Sequence, residues 1–155
     1  MITTGEIPKI CHICGIPWDA GYFDETSIQP APALGEELIL ARYQLHRNYC
    51  GVLMSFAQFT DKYARSKVEV LTPGYLWQIR CNGQPRDPYL TFDHIINPWG
   101  QSTNAVQLRL EEGCLLEITI RNVGASGRDI LKLVGGRISG CYWYNTEYGG
   151  APNRL

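Results

Sequence analysis

The stretch CLLEITIRN, residues 114–122, alternates apolar and polar side chains. Successive side chains of a β-strand point to opposite faces, so Leu116, Ile118 and Ile120 can be buried together while their neighbours face water. Comparable stretches occupy residues 38–45, 50–60, 68–71, 75–82, 88–92, 105–110 and 130–144. About eight strands of this kind predict an all-β protein, an antiparallel β-sandwich or a jelly roll.

Turn signals mark the breaks between these stretches. Asn-Gly at 82–83 predicts a hairpin turn. Gly135, Gly136 and Gly140 lie inside the last stretch and indicate a bulge or a close approach between backbones. Residues 59–66 are the single helical candidate and form at most two turns or no helix at all.

The first 35 residues differ in composition from the rest. They contain four prolines, which lack a backbone donor and disfavour a regular strand ladder. We therefore predict an irregular, extended N-terminal arm at residues 1–35 and a β-sandwich domain at residues 36–155. Several apolar residues in the arm indicate that it packs on the body or on a neighbouring subunit.

Size and charge narrow the class of protein. A chain of 155 residues and 17.5 kDa suits one domain with its own core. The net charge of −1, with scattered basic residues, predicts no nucleic-acid or membrane partner. No apolar run approaches the roughly 18 residues that span a bilayer, and the N-terminus lacks a secretion-signal pattern. These features predict a protein made and kept in a reducing cytoplasm.

The chain has six cysteines. Cys50, Cys81 and Cys114 each share strand parity with apolar residues, which predicts that they are small core residues. Disulfide frameworks are typical of short secreted chains with weak cores, so we expect reduced thiols.

The sharpest local motif is CHICG, residues 11–15. Two cysteines separated by two residues, with a glycine after them, form half of a zinc knuckle, which makes Cys11 and Cys14 candidate zinc ligands. A closed structural site needs four ligands, and there is no second pair of this spacing. Histidines (His12, His46 or His94) or cysteines of another subunit would complete the site. The alternatives without a metal are a local disulfide between Cys11 and Cys14 or two unliganded thiols.

Catalytic patterns are missing from the sequence. The three histidines are far apart, and Asp93 and His94 are adjacent, so on a strand they would face opposite ways. Ser139 lacks a nucleophile-elbow motif, and the paired glutamates flank turns. The sequence therefore predicts a protein that is not an enzyme; a small cupin-like metal enzyme is the most remote alternative.

Aromatic residues provide candidate contact surfaces. Tyr and Trp are enriched at protein interfaces and also stack on sugars, so a carbohydrate-binding module is an alternative to a subunit-contact protein. Simple packing at the ends of the sandwich would also account for them. The candidate interface residues are Trp18, Tyr22, Phe23, Trp99, Tyr142, Trp143 and Tyr144.

The second half of the chain resembles a known class of protein. YLWQIRCNGQP (75–85), a Pro-Trp-Gly loop, VQLRLEEGCLLEITIRN (106–122) and LVGGRISGCYWY (133–144) follow one another, and YQLHRNYCGVLMSF (43–56) is similar to an opening strand. This order resembles small β-sandwich virion proteins of tailed bacteriophages. The resemblance covers about 100 residues and leaves out the arm.

The resemblance implies a structural role in a phage particle, as a head decoration, connector or tail or fibre attachment protein. The protein would be made in the host cytoplasm and reside in the virion. Its partners would be other virion proteins and further copies of itself. No catalytic residue and no cofactor follow from the resemblance, and the candidate zinc at the Cys pair lies outside it.

Overall fold

A computed structural model describes residues 15–62, 69–86, 94–96 and 104–145. The described residues form ten strands and one short 3-10 helix. The strands are β1 (Gly21–Pro30), β2 (Glu37–Gln44), β3 (Tyr49–Thr60), β4 (Glu69–Leu71), β5 (Tyr75–Cys81), β6 (Gln84–Pro85), β7 (His94–Ile96), β8 (Asn104–Leu110), β9 (Leu115–Asn122) and β10 (Leu133–Tyr144). The 3-10 helix is Gly127–Asp129.

Two four-stranded antiparallel sheets face each other. The first sheet has the order β1-β10-β3-β8 and the second β2-β9-β5-β6, while β4 and β7 form a small separate ladder. The pairs are nested, since β1 pairs with β10, β2 with β9, β3 with β8, β4 with β7 and β5 with β6. The described chain is thus one long hairpin wrapped into two sheets, which is the arrangement of a jelly roll. The predicted all-β sandwich is confirmed.

The core lies between the two sheets and follows the predicted alternation. In β5 the side chains of Tyr75, Trp77 and Ile79 are 0% exposed, and the residues between them are half-buried. Leu116, Ile118 and Ile120 of β9 are also 0% exposed. The expectation that their neighbours face water is wrong for Glu117 and Thr119, which are 7% and 2% exposed, because β9 lies between β2 and β5 in its sheet. Two polar groups in the core have partners. The indole N–H of Trp77 donates to Thr72 Oγ1 at 3.0 Å, and the Tyr75 hydroxyl accepts from the Leu131 amide at 3.1 Å.

The predicted turn at residues 82–83 forms the tip of the long hairpin. Asn82 and Gly83 both have positive φ, 54° and 79°, which is the signature of a type I′ turn. The predicted irregularity in the last strand is also present, because the pairing of β10 with β3 shifts between Ser139 and Gly140. A Cβ atom on Gly140 would overlap the Val52 carbonyl oxygen and lie 2.8 Å from the Phe23 ring. Only glycine fits there.

One prediction about a chain segment is wrong. Residues 21–30, assigned to an irregular arm, form β1, whose ten residues all pair with β10. Proline is tolerated because Pro30 is the last residue of a strand at the edge of its sheet. The helical candidate at 59–66 has no helix at its start, since Phe59 and Thr60 continue β3. Residues 1–14 of the arm and 63–66 of that segment lie outside the described residues.

The cysteines also depart from expectation. Cys81 and Cys114 form a disulfide with a Cα–Cα distance of 6.0 Å, so the prediction of reduced thiols is wrong for this pair. Both are buried, as predicted, at 6% and 0% exposure. Cys50 is half-buried and lies outside the core. A register shift between Leu53 and Ser55 breaks the alternation of β3, so Cys50 does not share a face with Phe56.

Candidate functional site

Strand β1 is an exposed edge of the first sheet. One side of β1 pairs with β10, and among the described residues its other side pairs with no strand. Tyr22 and Ile28 are 69% and 67% exposed. They are six residues apart on one strand and therefore share a face. An edge strand of ten residues with large exposed apolar side chains is a typical site for contact with another chain.

Side chains of β1 reach the neighbouring edge strand of the second sheet. The Ser27 hydroxyl donates to the Leu40 carbonyl of β2. Gln29 Nε2 donates to the Ile39 carbonyl at 2.9 Å and to Ser27 Oγ at 3.1 Å. These bonds satisfy two carbonyl groups at the β2 edge. Beside them lies an open groove of about 330 Å³, whose lining includes Glu25 and Arg42.

An ion pair crosses from β1 to its neighbour. Arg137 of β10 holds both carboxylate oxygens of Asp24, at 2.8 Å from Nε and 2.5 Å from Nη2. The hydrogen bonds from Arg137 lower the pKa of Asp24. The ion pair holds the Asp24 carboxylate against the neighbouring strand of the same sheet. A charged residue on an edge strand also disfavours non-specific pairing with a strand of another chain.

Five aromatic side chains form a connected group at one end of the sandwich, the aromatic cluster. Phe23 stacks on Tyr43 with ring centroids 4.4 Å apart, and Tyr43 lies 6.0 Å from Tyr142. Tyr142 lies 6.0 Å from Tyr49, which meets Tyr144 edge-on at 5.7 Å. The cluster joins β1, β3 and β10 of one sheet to β2 of the other. Offset and edge-on contacts at such distances stabilise aromatic groups.

Two further aromatic side chains, Trp18 and Tyr22, lie at the start of β1, and both are exposed. Gly21 pairs with Tyr142, and a Cβ atom on Gly21 would lie 2.7 Å from the Tyr142 hydroxyl, so this ring covers the glycine backbone. Immediately before Gly21, the Ala20 amide donates to the Pro17 carbonyl at 3.2 Å and closes a turn. Trp18 lies within this turn and is 69% exposed. We call Trp18, Tyr22, Tyr43, Tyr142 and Tyr144 the aromatic edge. Its members do not share one face of the sheet, because Tyr22 precedes the core residue Phe23 and therefore points to the opposite face from Tyr43 and Tyr142.

Tyr43 remains a neutral phenol over a wide pH range. Burial raises its pKa, and the neighbouring Tyr142 and Glu25 raise it further. A neutral phenol both donates and accepts a hydrogen bond. The aromatic edge therefore offers polar groups and apolar rings together, the combination that suits a protein surface or a sugar.

The predicted interface residues have different surroundings. Trp18 and Tyr22 are exposed, whereas Phe23 is 3% exposed and belongs to the core, so it cannot serve as a surface contact. Tyr142 and Trp143 are half-buried and Tyr144 is 45% exposed. Trp143 lies between two tyrosines of one strand and thus points to the opposite face.

Two residues of the aromatic cluster were not predicted from the sequence, and three predicted site residues lie outside the described part of the chain. Tyr43 and Tyr49 complete the cluster, but neither carries a sequence signal, since they meet Tyr142 only through the folding of two sheets. Trp99, Cys11 and Cys14 lie outside the described residues.

Within the described part of the chain, no three His, Cys, Asp or Glu side chains are grouped so as to hold a metal ion. No helix there is both long and apolar enough to cross a membrane.

No family model, curated protein or solved structure matches the chain.

Proposed function

We propose that the protein is a non-enzymatic structural component of a bacteriophage particle that acts through contacts with its own copies and with other virion proteins. The observation that carries this proposal is the aromatic edge beside an open edge strand. Trp18 and Tyr22 expose 69% of their surface each, and the backbone of β1 adjoins them. Buried Trp and Tyr side chains dominate the energetics of many protein interfaces.

The fold is compatible with this role. Jelly rolls occur in viral capsid proteins, in lectins and in cupins, so the fold alone does not select among them. The segments that resemble tailed-phage virion proteins cover β5, β6, β9 and β10, most of β8 and of β3, and the end of β2. They leave out β1 and most of β2.

The disulfide also fits a particle component. Disulfides persist in oxidising surroundings and are rare in a reducing cytoplasm. A virion protein is made in the cytoplasm but spends its working life outside the cell. Cys81 and Cys114 lie in the core, where a disulfide formed after release would strengthen the particle.

Carbohydrate binding is the second candidate. Exposed Trp18 and Tyr22 would stack on the faces of sugar rings, and the Tyr43 hydroxyl and the polar groove of β1 and β2 would supply hydrogen bonds. Carbohydrate binding would use the same aromatic edge, so one double variant and its control test both functions.

The test is the double variant Trp18→Ala/Tyr22→Ser, compared with wild type by sedimentation equilibrium and on a glycan array. Because aromatic hot spots contribute about 2 kcal/mol or more each, we expect the dissociation constant for self-association to rise at least tenfold. Ile130→Ala is the control, since Ile130 is 50% exposed but lies beyond the 3-10 helix, outside the aromatic edge.

The outcomes separate the two candidates. Self-association that weakens only in the double variant supports the structural role. A monomeric wild type whose glycan binding is lost in the double variant supports the carbohydrate-binding module. A monomeric wild type with no glycan binding and no association with particles contradicts both.

A further inference from the structure

The register of β1 with β10 determines which backbone groups face the open edge. The Ala31 amide donates to the Lys132 carbonyl and continues the β1–β10 ladder, and the Asp61 amide donates to the Leu133 carbonyl and continues the β3–β10 ladder. The pairing of β1 with β10 has no register shift. Since hydrogen-bonded pairs alternate along an antiparallel ladder, the odd-numbered residues of β1 bond to β10. The backbone groups of its even-numbered residues therefore face outward.

The outward N–H groups of β1 form a symmetric set, and no strand of the described residues pairs with them. They belong to Tyr22, Asp24, Thr26 and Ile28. The set ends before β1 at Ala20, whose N–H already donates to the Pro17 carbonyl. It ends on the other side at Pro30, which has no N–H. The four donors are thus arranged evenly about Glu25.

A set with this symmetry matches a second copy of itself. Two β1 strands that pair antiparallel about a two-fold axis at Glu25 place Tyr22 opposite Ile28 of the second copy. They also place Asp24 opposite Thr26 of the second copy. Each outward N–H of either strand then has a carbonyl of the other strand as its acceptor.

The side chains favour this register. Tyr22 and Ile28 are 69% and 67% exposed, and they lie on the outer face of the sheet because Phe23 points into the core. The pairing covers both of these side chains in both copies, and aromatic–aliphatic pairs across strands stabilise a sheet. A register displaced by two residues would instead place the Asp24 carboxylate opposite Ile28.

The charges at this edge are compatible with the pairing. On the outer face, Arg137 holds the Asp24 carboxylate at 2.8 Å from Nε, so each copy contributes a neutral ion pair. On the inner face, the Glu25 side chains of the two copies lie opposite each other. Arg42 lines the same groove beside β1 as Glu25 and supplies the opposite charge.

We propose that two copies of the protein pair antiparallel through β1, centred on Glu25, so that their four-stranded first sheets join into one continuous sheet. This inference rests on the proposed function, because it names the partner at the same edge and the way in which it binds. Backbone hydrogen bonds provide affinity, and the pairs of Tyr22 with Ile28 set the register. The contact uses the same strand of both copies and therefore closes at a dimer.

Cross-linking of an introduced cysteine locates the two-fold axis. In the proposed register Glu25 faces its own copy in a non-hydrogen-bonded pair, whose Cα atoms are about 4.5 Å apart, within the range of disulfides. Glu25→Cys should therefore form a disulfide-linked dimer in oxidised glutathione. Ile28→Cys is the control, because Ile28 is exposed but lies about 20 Å along the strands from its own copy. Mass spectrometry of the linked peptides separates this link from those of the native cysteines.

A proline at the edge tests the backbone pairing. Thr26→Pro removes an outward N–H and leaves the bonds from β1 to β10 in place, a position at which sheets tolerate proline. Because a dimer loses two hydrogen bonds, we expect its dissociation constant to rise at least about tenfold in sedimentation equilibrium. Thr26→Val, which keeps the N–H and a β-branched side chain, is the control and should change the constant less than about threefold. Circular dichroism checks folding, and Glu25→Cys decides alone if Thr26→Pro does not fold.

The outcomes separate this inference from the proposed function. A dimeric wild type, with a cross-link in Glu25→Cys and weaker association in Thr26→Pro, supports the pairing. A wild type that self-associates while Glu25→Cys does not cross-link overturns the pairing and leaves the proposed function standing. A monomeric wild type also overturns the pairing, and association with particles then decides the proposed function.

Discussion

Replacing Trp77 with alanine is expected to lower the free energy of unfolding by about 3–5 kcal/mol, the range found for removal of large buried aromatic side chains. Trp77 is 0% exposed and lies in β5, a central strand of the second sheet. The substitution leaves a cavity and also removes the hydrogen bond from the indole N–H to Thr72 Oγ1. Urea denaturation followed by circular dichroism measures the change.

Trp18→Ala is the matched control, because it removes the same side chain from a position that is 69% exposed. We expect a change within about 0.5 kcal/mol there. Trp77→Phe separates the two causes, since it keeps most of the apolar volume and removes the hydrogen bond. Equal stability of Trp77→Ala and Trp18→Ala would contradict the assignment of Trp77 to the core between the sheets.

Loss of the disulfide is expected to have the second-largest effect. Cys81 and Cys114 are separated by 33 residues, and closing a loop of that length restricts the unfolded chain by about 3–4 kcal/mol. The variant Cys81→Ala/Cys114→Ala should therefore unfold at a lower urea concentration than the oxidised wild type. Denaturation with and without reductant measures the effect.

Reductant provides the internal control for this prediction. It should destabilise the wild type to about the level of the double variant and leave the double variant unchanged. A structural disulfide would be contradicted by two findings together: a wild-type stability that does not respond to reductant, and free thiols at Cys81 and Cys114 by mass spectrometry.

Local patterns were sufficient to predict most of the sandwich. The alternation in β9 identified Leu116, Ile118 and Ile120 as core residues, because one face of the strand packs against the other sheet. The turn at Asn82 was predictable because few residues adopt positive φ at low cost. These features depend on neighbours in sequence, which is the information that a single chain contains.

The features that escaped prediction depend on contacts between distant segments. Pro30 indicated that its segment is not a strand. At the end of an edge strand, however, proline removes no ladder hydrogen bond, and only the sheet order shows that Pro30 has this position. Cys81 and Cys114 were predicted to be buried, but their pairing required the register of β5 with β9. The aromatic cluster likewise needed two sheets to bring Tyr43 to Tyr142.

We propose that this jelly roll acts through the edge formed by β1 and its aromatic residues. Hydrogen–deuterium exchange of the wild type, measured over a range of protein concentrations, is the decisive experiment. We expect amides of β1 (Gly21–Pro30) to become protected as concentration rises, while those of β8 (Asn104–Leu110), the opposite edge of the same sheet, do not. Exchange that is independent of concentration, or protection that appears at β8 and not at β1, would contradict it.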